Sequence, residues 1–377
     1  HDKVDFTGKK VAVIGTGATA VQVVPEVARE AEHVFVFQRT PNFDIPGRNH
    51  LLDEDYVRKL KANYSELWGK ARATGFGFPY ESAERTTFSV PDEERLRIYE
   101  AAWQEGGFHV GLDTFSDVLL DEAANESIAE FVRGKIREMV HKPEVAELLA
   151  PKDHPFFTKR PPLEHGYYEA FNRDNVTLVD VKKAPIEEIT PTGVRTADGR
   201  SHDVDIIIFA TGFDAMTGTL FAMDIRGRSG MALREQWADG PRTYIGLAVH
   251  NFPNMFLMTG PQSPSVLSNM PVAIEQHVEW IADCLKYLRD HDETVIEATR
   301  EAEDGWVALA TEIANMTLIP RTPSWWVGGN IPGKPRLVYP FVGGLQVYRQ
   351  ACEDVAANNY KGFVLQGHEH GRAAAAS

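Results

Sequence analysis

Lys9-Lys10-Val11-Ala12-Val13-Ile14-Gly15-Thr16-Gly17-Ala18-Thr19-Ala20 is the stretch that decides how this chain is read. Its four residues 11–14 form a short apolar run, the pattern of a parallel strand covered on both faces. Gly15-x-Gly17-x-x-Ala20 then fits the G-x-G-x-x-G/A turn. Gly15 permits the tight turn, and Gly17 lets the backbone approach a pyrophosphate. Ala20 keeps the next helix close to the strand, and that helix aims its N-terminus at the anion. Val21, Val24, Val27, Ala28 and Ala31 follow at helical spacing. A second apolar run, Val34-Phe35-Val36-Phe37, ends in Gln38-Arg39-Thr40-Pro41. Strand, glycine turn, helix and strand within about 40 residues make a βαβ unit, the setting in which such a turn binds a dinucleotide.

The end of the second strand separates the two nicotinamide cofactors. An NAD site usually has a carboxylate there for the ribose 2′-hydroxyl, whereas this chain has Gln38 and Arg39. A guanidinium suits a 2′-phosphate, and the missing carboxylate removes a repulsion, so NADP(H) is expected.

Outward from this unit the character changes. Residues 47–154 carry long helical patterns, as at 93–104 and 127–139, and read as a helical insertion. Strand-like runs return at 176–179, 193–196 and 206–209, with Asp198-Gly199 as a turn. A further strand is expected at 255–258, then a loop at 260–269 and helices over 273–288 and 301–314. The fold class is therefore α/β. A Rossmann-like NADP domain is expected from 1–46 and 155–214, with 47–154 inserted and 215–377 forming a second region.

The 377 residues suggest two or three domains at about 150 residues each. Apolar residues at 43% exclude general disorder, and the one compositionally simple segment is the tail 371–377. A net charge of −15 repels phosphate backbones, which disfavours nucleic acid as a partner. No run of about 18 apolar residues is present, so no membrane span is expected. Cys284 and Cys352 lack C-x-x-C spacing and a His at ligand spacing. They read as buried thiols of a reducing cytoplasm, with no metal site. There is no G-x-S-x-G elbow and no H-E-x-x-H, so hydrolase chemistry has no support. The first residue is His1 and no signal peptide follows, so the chain reads as the interior of a longer product.

Several motifs lie along the chain in order. After the glycine turn with Gln22 and the run Phe37-Gln38-Arg39-Thr40-Pro41-Asn42-Phe43 come Thr158-Lys159-Arg160-Pro161 and Gly166-Tyr167-Tyr168-Glu169. Ala210-Thr211-Gly212-Phe213-Asp214, Gly260-Pro261-Gln262-Ser263-Pro264-Ser265 and Ser324-Trp325-Trp326 follow. Together they resemble the type I Baeyer–Villiger monooxygenases, in the phenylacetone and cyclohexanone monooxygenase branch. That resemblance implies an enzyme using FAD and NADPH, with a ketone and O₂ as small-molecule partners. It makes 215–377 the C-terminal part of an FAD and substrate domain. The family's N-terminal flavin-binding βαβ unit is not among these residues, so that segment of the same enzyme is an expected partner.

The resemblance also assigns roles. Arg160 would stabilise a flavin peroxide and the adduct it forms with a ketone, a task for a permanent cation in a water-poor pocket. Lys159 would join Arg39 and Thr40 at the NADP 2′-phosphate. Thr16, Thr19 and Gln22 would lie near the pyrophosphate or nicotinamide half. Ala210, Thr211 and Gly212 would close over a dinucleotide, and a backbone amide at Met270 would reach the flavin. Ser265, Leu267 and Ser268 would line the substrate pocket. Trp325 would sit on a mobile loop that closes over NADP and substrate, with Gly328 and Gly329 permitting movement. His165, His277 and Glu275 read as structural, Trp326 as packing, and Asp214 as a turn residue. Two other readings stay open: an N- or S-oxygenating flavin monooxygenase, or a truncated NADP-binding product without activity.

Overall fold

In the computed structural model, which describes residues 4–80 and 83–367, the opening run folds as β1 (Lys10–Ile14), α1 (Ala18–Glu30) and β2 (His33–Gln38). His1 and the tail 371–377 lie outside the described residues. β1 pairs in parallel with β2 on one side and with the strand Ile206–Phe209 on the other, and β2 pairs in parallel with Val176–Asp180. The four strands therefore run in the order 176–180, β2, β1, 206–209. That is half of a doubly wound sheet, whose ligand crevice lies at the carboxyl ends of the strands. Val11, Ala12 and Val13 are fully buried, as are Ala20, Val21, Val24 and Ala28 of α1. Each fully buried valine contributes roughly 1.5–3 kcal/mol, so the apolar stripe of α1 is what holds it on the sheet.

A three-stranded antiparallel ribbon, Ile186–Thr190, Gly193–Thr196 and Ser201–Asp203, separates the last two parallel strands. Its middle strand and the Asp198-Gly199 turn, with Gly199 at φ 81°, follow the sequence reading. The flanking strands escape it. Ile186–Thr190 exposes three consecutive residues and so shows no alternation of apolar and polar positions. The longer helices Asp92–Glu105, Glu122–Met139, Met270–Asp290 and Arg300–Asn315 contain the expected helical patterns. Asp121 and Thr299 cap two of them by accepting from the amides of Ala124 and Ala302.

The chain divides into two compact units, 1–51 with 83–213, and 52–82 with 214–377. The helices read as one insertion thus part company. Residues 52–82 group with the second unit, where the Trp68 indole and the Arg72 guanidinium both donate to the Glu275 carboxylate, and the Asn269 amide donates to the Phe76 carbonyl. The core of the second unit gathers Trp280, Trp306, Phe341 and Tyr348 around Cys284 and Cys352, both free and buried. An antiparallel pair, Glu293–Ala298 with Phe363–Gly367, adds to it.

The strand expected at 255–258 does not form. The run is apolar because Met255 and Leu257 pack around Trp237 while Phe256 packs toward Trp280. The Leu257 amide donates to the Leu247 carbonyl, but no ladder continues from it. Burial on two sides imitates a strand pattern without strand pairing. Among the described residues no helix is long and apolar enough to cross a membrane, and no group of three or more His, Cys, Asp or Glu is placed to hold a metal.

Candidate functional site

The glycine turn joins β1 to α1 at the carboxyl end of the sheet. Gly15 has φ 109°, and a Cβ built on it would lie 2.3 Å from the carbonyl oxygen of Ala210, just past the neighbouring strand. Only glycine fits there. Gly17 is different: its φ is −90°, and a Cβ would meet nothing within 4 Å. It is the N-cap of α1, with no side-chain cap and no acidic residue in the first turn. The amides and positive dipole end of α1 therefore face open space. Thr16 is buried, and its hydroxyl donates to the Thr40 carbonyl at 2.9 Å, tying the turn to the end of β2. Thr19 and Gln22 are exposed on the first turn of α1, while Ala20 is buried against the sheet. Ala210 is buried after the strand Ile206–Phe209, followed by exposed Thr211 and Gly212, the latter at φ 87°.

At the end of β2, Gln38 turns inward. It is buried, and its amide donates to the Leu148 carbonyl at 2.7 Å. What bears on a phosphate is its neighbour Arg39, which is exposed. Lys159 is half-buried, and its pKa is lowered, first by desolvation and then by the charges of Arg39 and Lys182, against the opposing pull of Asp153. The cations thus share one neighbourhood. Asp153 was not singled out from sequence, since nothing in the chain pattern connects 153 with 182.

Arg160 follows directly. Its guanidinium carbon lies 5.0 Å from the centre of the Phe108 ring, and desolvation lowers its pKa from the ordinary arginine value. Such a cation–π contact is worth about 0.5–2 kcal/mol. The backbone on either side is fixed: Thr158 is buried with its hydroxyl donating to the Pro155 carbonyl at 2.7 Å, and Pro161 and Pro162 are buried. His165, five residues beyond Arg160, is exposed with its ring pressed against Gly47.

The other candidates lie in the second unit. Ser265–Leu267 is a single 3-10 turn, with buried Ser265 at φ 45° and its hydroxyl 3.9 Å from the Met216 sulfur. The Ser268 hydroxyl donates back to the Ser265 carbonyl at 3.0 Å. Leu267 and Trp325 pack around the same buried core of Ile319, Trp326 and Val327. Met270 is the first residue of the helix Met270–Asp290, so its amide has no acceptor within that helix. Gly328 has φ 71°, and a Cβ there would stand 2.6 Å from the Pro335 carbonyl oxygen, so close packing alone demands that glycine.

Three residues with acid–base side chains have structural surroundings. His277 is fully buried; its Nδ1 accepts from the Thr259 amide at 3.0 Å and its Nε2 lies 2.8 Å from the Tyr348 hydroxyl. Nδ1 is therefore unprotonated and Nε2 carries the hydrogen, while the Tyr348 hydroxyl donates to the Ile245 carbonyl at 2.7 Å. Desolvation lowers the His277 pKa to about 4. Glu275 is held by Trp68 and Arg72, and Asp214 is paired with Lys334 at 2.6 Å.

A doubly wound parallel sheet with this turn and these cations defines a dinucleotide-binding α/β protein. The comparisons carry the assignment further, and the chain belongs to the family of Baeyer–Villiger monooxygenases. It is 42% identical over 362 residues to a Baeyer–Villiger monooxygenase of Pseudooceanicola batsensis, covering 96% of this chain and 66% of that protein. It is 43% identical over 366 residues to cyclohexanone 1,2-monooxygenase of an Acinetobacter species, covering 97% of this chain and 67% of the relative. Among solved structures, the crystal structure of OTEMO in complex with FAD and NADP superposes with a TM-score of 0.93 at 42% identity, over 96% of this chain and 67% of that one. The chain thus spans about two thirds of the length of the relatives it matches. No protein-family model matches it.

Proposed function

We propose that this chain carries the NADPH-binding and ketone-oxygenating residues of an FAD- and NADPH-dependent Baeyer–Villiger monooxygenase. The reaction consumes a cyclic or aryl ketone, O₂, NADPH and a proton. It yields a lactone or ester, water and NADP⁺, one oxygen atom entering the C–C bond beside the carbonyl. The buried thiols support a cytoplasmic setting.

The residues fit the dinucleotide. The space beside Gly17 and the uncapped start of α1 suit a pyrophosphate, and Arg39, Thr40 and Lys159 suit the 2′-phosphate. Thr16, Thr19, Ala20 and Gln22 shape the floor and rim of that turn, and Ala210, Thr211 and Gly212 border it across Gly15. In the second unit, Met270 offers a backbone amide to FAD, while Ser265, Leu267, Ser268 and Trp325 are assigned to the pocket wall and its cover. FAD, when bound, supplies the redox chemistry that links NADPH to O₂. Arg160 holds negative charge on the oxygen of the attacked carbonyl. Arginine suits this because it stays charged at any working pH.

The single observation that carries the reading is the adjacency of Lys159 and Arg160. One is coupled electrostatically to Arg39 at the nucleotide end; the other is an exposed cation whose guanidinium rests on Phe108. The test is Arg160→Ala, with ester formed per NADPH oxidised measured beside hydrogen peroxide release. NADPH binding should persist, while ester formation falls by about 10²–10³ and O₂ is diverted to hydrogen peroxide. Near-normal ester yield would move the role elsewhere. Efficient amine or sulfide oxidation without ester formation would favour the N- or S-oxygenating reading.

A further inference from the structure

The parallel pairing of β2 with Val176–Asp180 does more than complete the sheet. Gln38 is in register with Asp180, and the Val181 amide donates to the Gln38 carbonyl at 2.9 Å. Residues just past this outer strand therefore stay alongside Arg39, just past β2. The amides of Lys182 and Lys183 both donate to the Asp180 side chain, at 3.0 and 3.2 Å, which fixes the direction in which the chain leaves the sheet. The Lys182 ammonium then lies 3.8 Å from one carboxylate oxygen of Asp153. The other oxygen of Asp153 is 2.7 Å from Nδ1 of His154, a buried ring that holds the carboxylate in orientation.

Lys159 responds to the same carboxylate, and its ammonium is disfavoured by both Arg39 and Lys182. Lys159 thus stands in the field of both Arg39 and Lys182, and the Asp153 carboxylate pairs with Lys182. The like charges of Arg39 and Lys182 disfavour the Lys159 ammonium, a cost that a bound anion would offset. A phosphate monoester carries about −1.5 to −2 charge near pH 7 and is such an anion. Lys183 carries the same charge one residue later but forms no ion pair with Asp153.

We propose that Lys182 is a third cation of the site that reads the 2′-phosphate of NADPH, with Asp153 as the residue that positions it beside Lys159. The inference rests on the NADPH reading above and deepens it. The outer strand of the sheet, and not only β2, then sets the choice between the two nicotinamide cofactors.

The experiment is calorimetric titration of the 377-residue chain with adenosine 2′,5′-bisphosphate and with AMP, which differ only by the 2′-phosphate. Lys182→Gln should weaken the bisphosphate about fivefold, as expected for one partly screened charge contact, and leave AMP unchanged. Lys182→Glu should weaken it further, and Lys183→Gln should do nothing. Arg39→Gln is the reference. Lost discrimination at Arg39 with none at Lys182 overturns the present inference alone. Unchanged discrimination in both variants overturns the NADPH reading as well. An equal loss at Lys182 and Lys183 would reduce the effect to general surface charge and also overturn the inference.

Discussion

The glycine turn of the first unit and the loop 259–265 of the second both bend the backbone into the left-handed region, by opposite means. At Gly15 the residue itself supplies the conformation, and the carbonyl of Ala210 leaves room for nothing larger. In the loop, three non-glycine residues, Thr259, Gln262 and Ser265, have φ of 50°, 59° and 45°. Each such residue costs on the order of 1–3 kcal/mol and persists only where its surroundings over-determine it. Those surroundings are present. The Gln262 amide donates to the Tyr339 carbonyl, its own carbonyl accepts from the Trp306 indole at 3.0 Å, and its side chain is bonded to Thr243 and Pro241. The first unit encodes its turn by residue type; the second imposes its loop through buried hydrogen bonds from distant segments.

Substitutions can break that contrast. The largest effect is expected at Gly15. Gly15→Ala forces a methyl against a carbonyl of the parallel sheet and should cost about 3 kcal/mol of stability with loss of NADP⁺ binding. Gly17→Ala, with open space around it, should change stability by no more than about 0.5 kcal/mol, yet weaken NADP⁺ by filling the approach to the pyrophosphate. Chemical denaturation beside nucleotide titration would compare the two. Equal stability losses would mean that the approach to Ala210 does not distinguish the glycines.

A smaller effect is expected from acid at His277, which anchors the start of the strained loop through the Thr259 amide. Its folded pKa is depressed to about 4, whereas an unfolded histidine titrates near 6.5. Between these values the unfolded chain binds a proton that the folded chain does not. Stability from this site is therefore complete above about pH 6.5 and is lost as pH falls toward 4, by about 2 kcal/mol between pH 7 and 5. The difference between wild type and His277→Gln in urea unfolding at those two pH values should show this slope. Parallel pH dependences would mean that His277 is not kept neutral by the fold.

The smallest effect has the opposite sign. Thr259 is half-buried, β-branched and at positive φ, so glycine there removes a local penalty at the expense of a more flexible unfolded chain. Thr259→Gly should be neutral or stabilising by up to about 1 kcal/mol in the same denaturation assay. A loss as large as that at Gly15 would show the two bends to be built alike.

The same contrast explains what could be read from the sequence. The strand, turn, helix and second strand at 10–38 were legible because every requirement falls within a few residues of the one that meets it. Lys159 and Arg160 were found by motif, and the electrostatic coupling of Lys159 to Arg39 joins segments 120 residues apart. Gln38 was legible as a missing carboxylate, but its inward turn depends on Leu148, which no local pattern reveals. Asp153 and Lys182 escaped because their relation exists only across the sheet. The run 255–258 was misread as a strand because packing toward two clusters leaves the same apolar signature as a ladder. Gln262 was legible only as a member of the 260–269 motif, since its structural role lies in four distant partners.

Cys284 and Cys352 have a practical consequence. Both sit in the core of the second unit, and burial pushes each thiol up to about 12, so neither offers a thiolate to a reagent while that core is closed. The chain has no other cysteine. Alkylation of native protein therefore times the openings of the second unit alone, and mass spectrometry of the two labelled peptides would show whether both ends of that core open together.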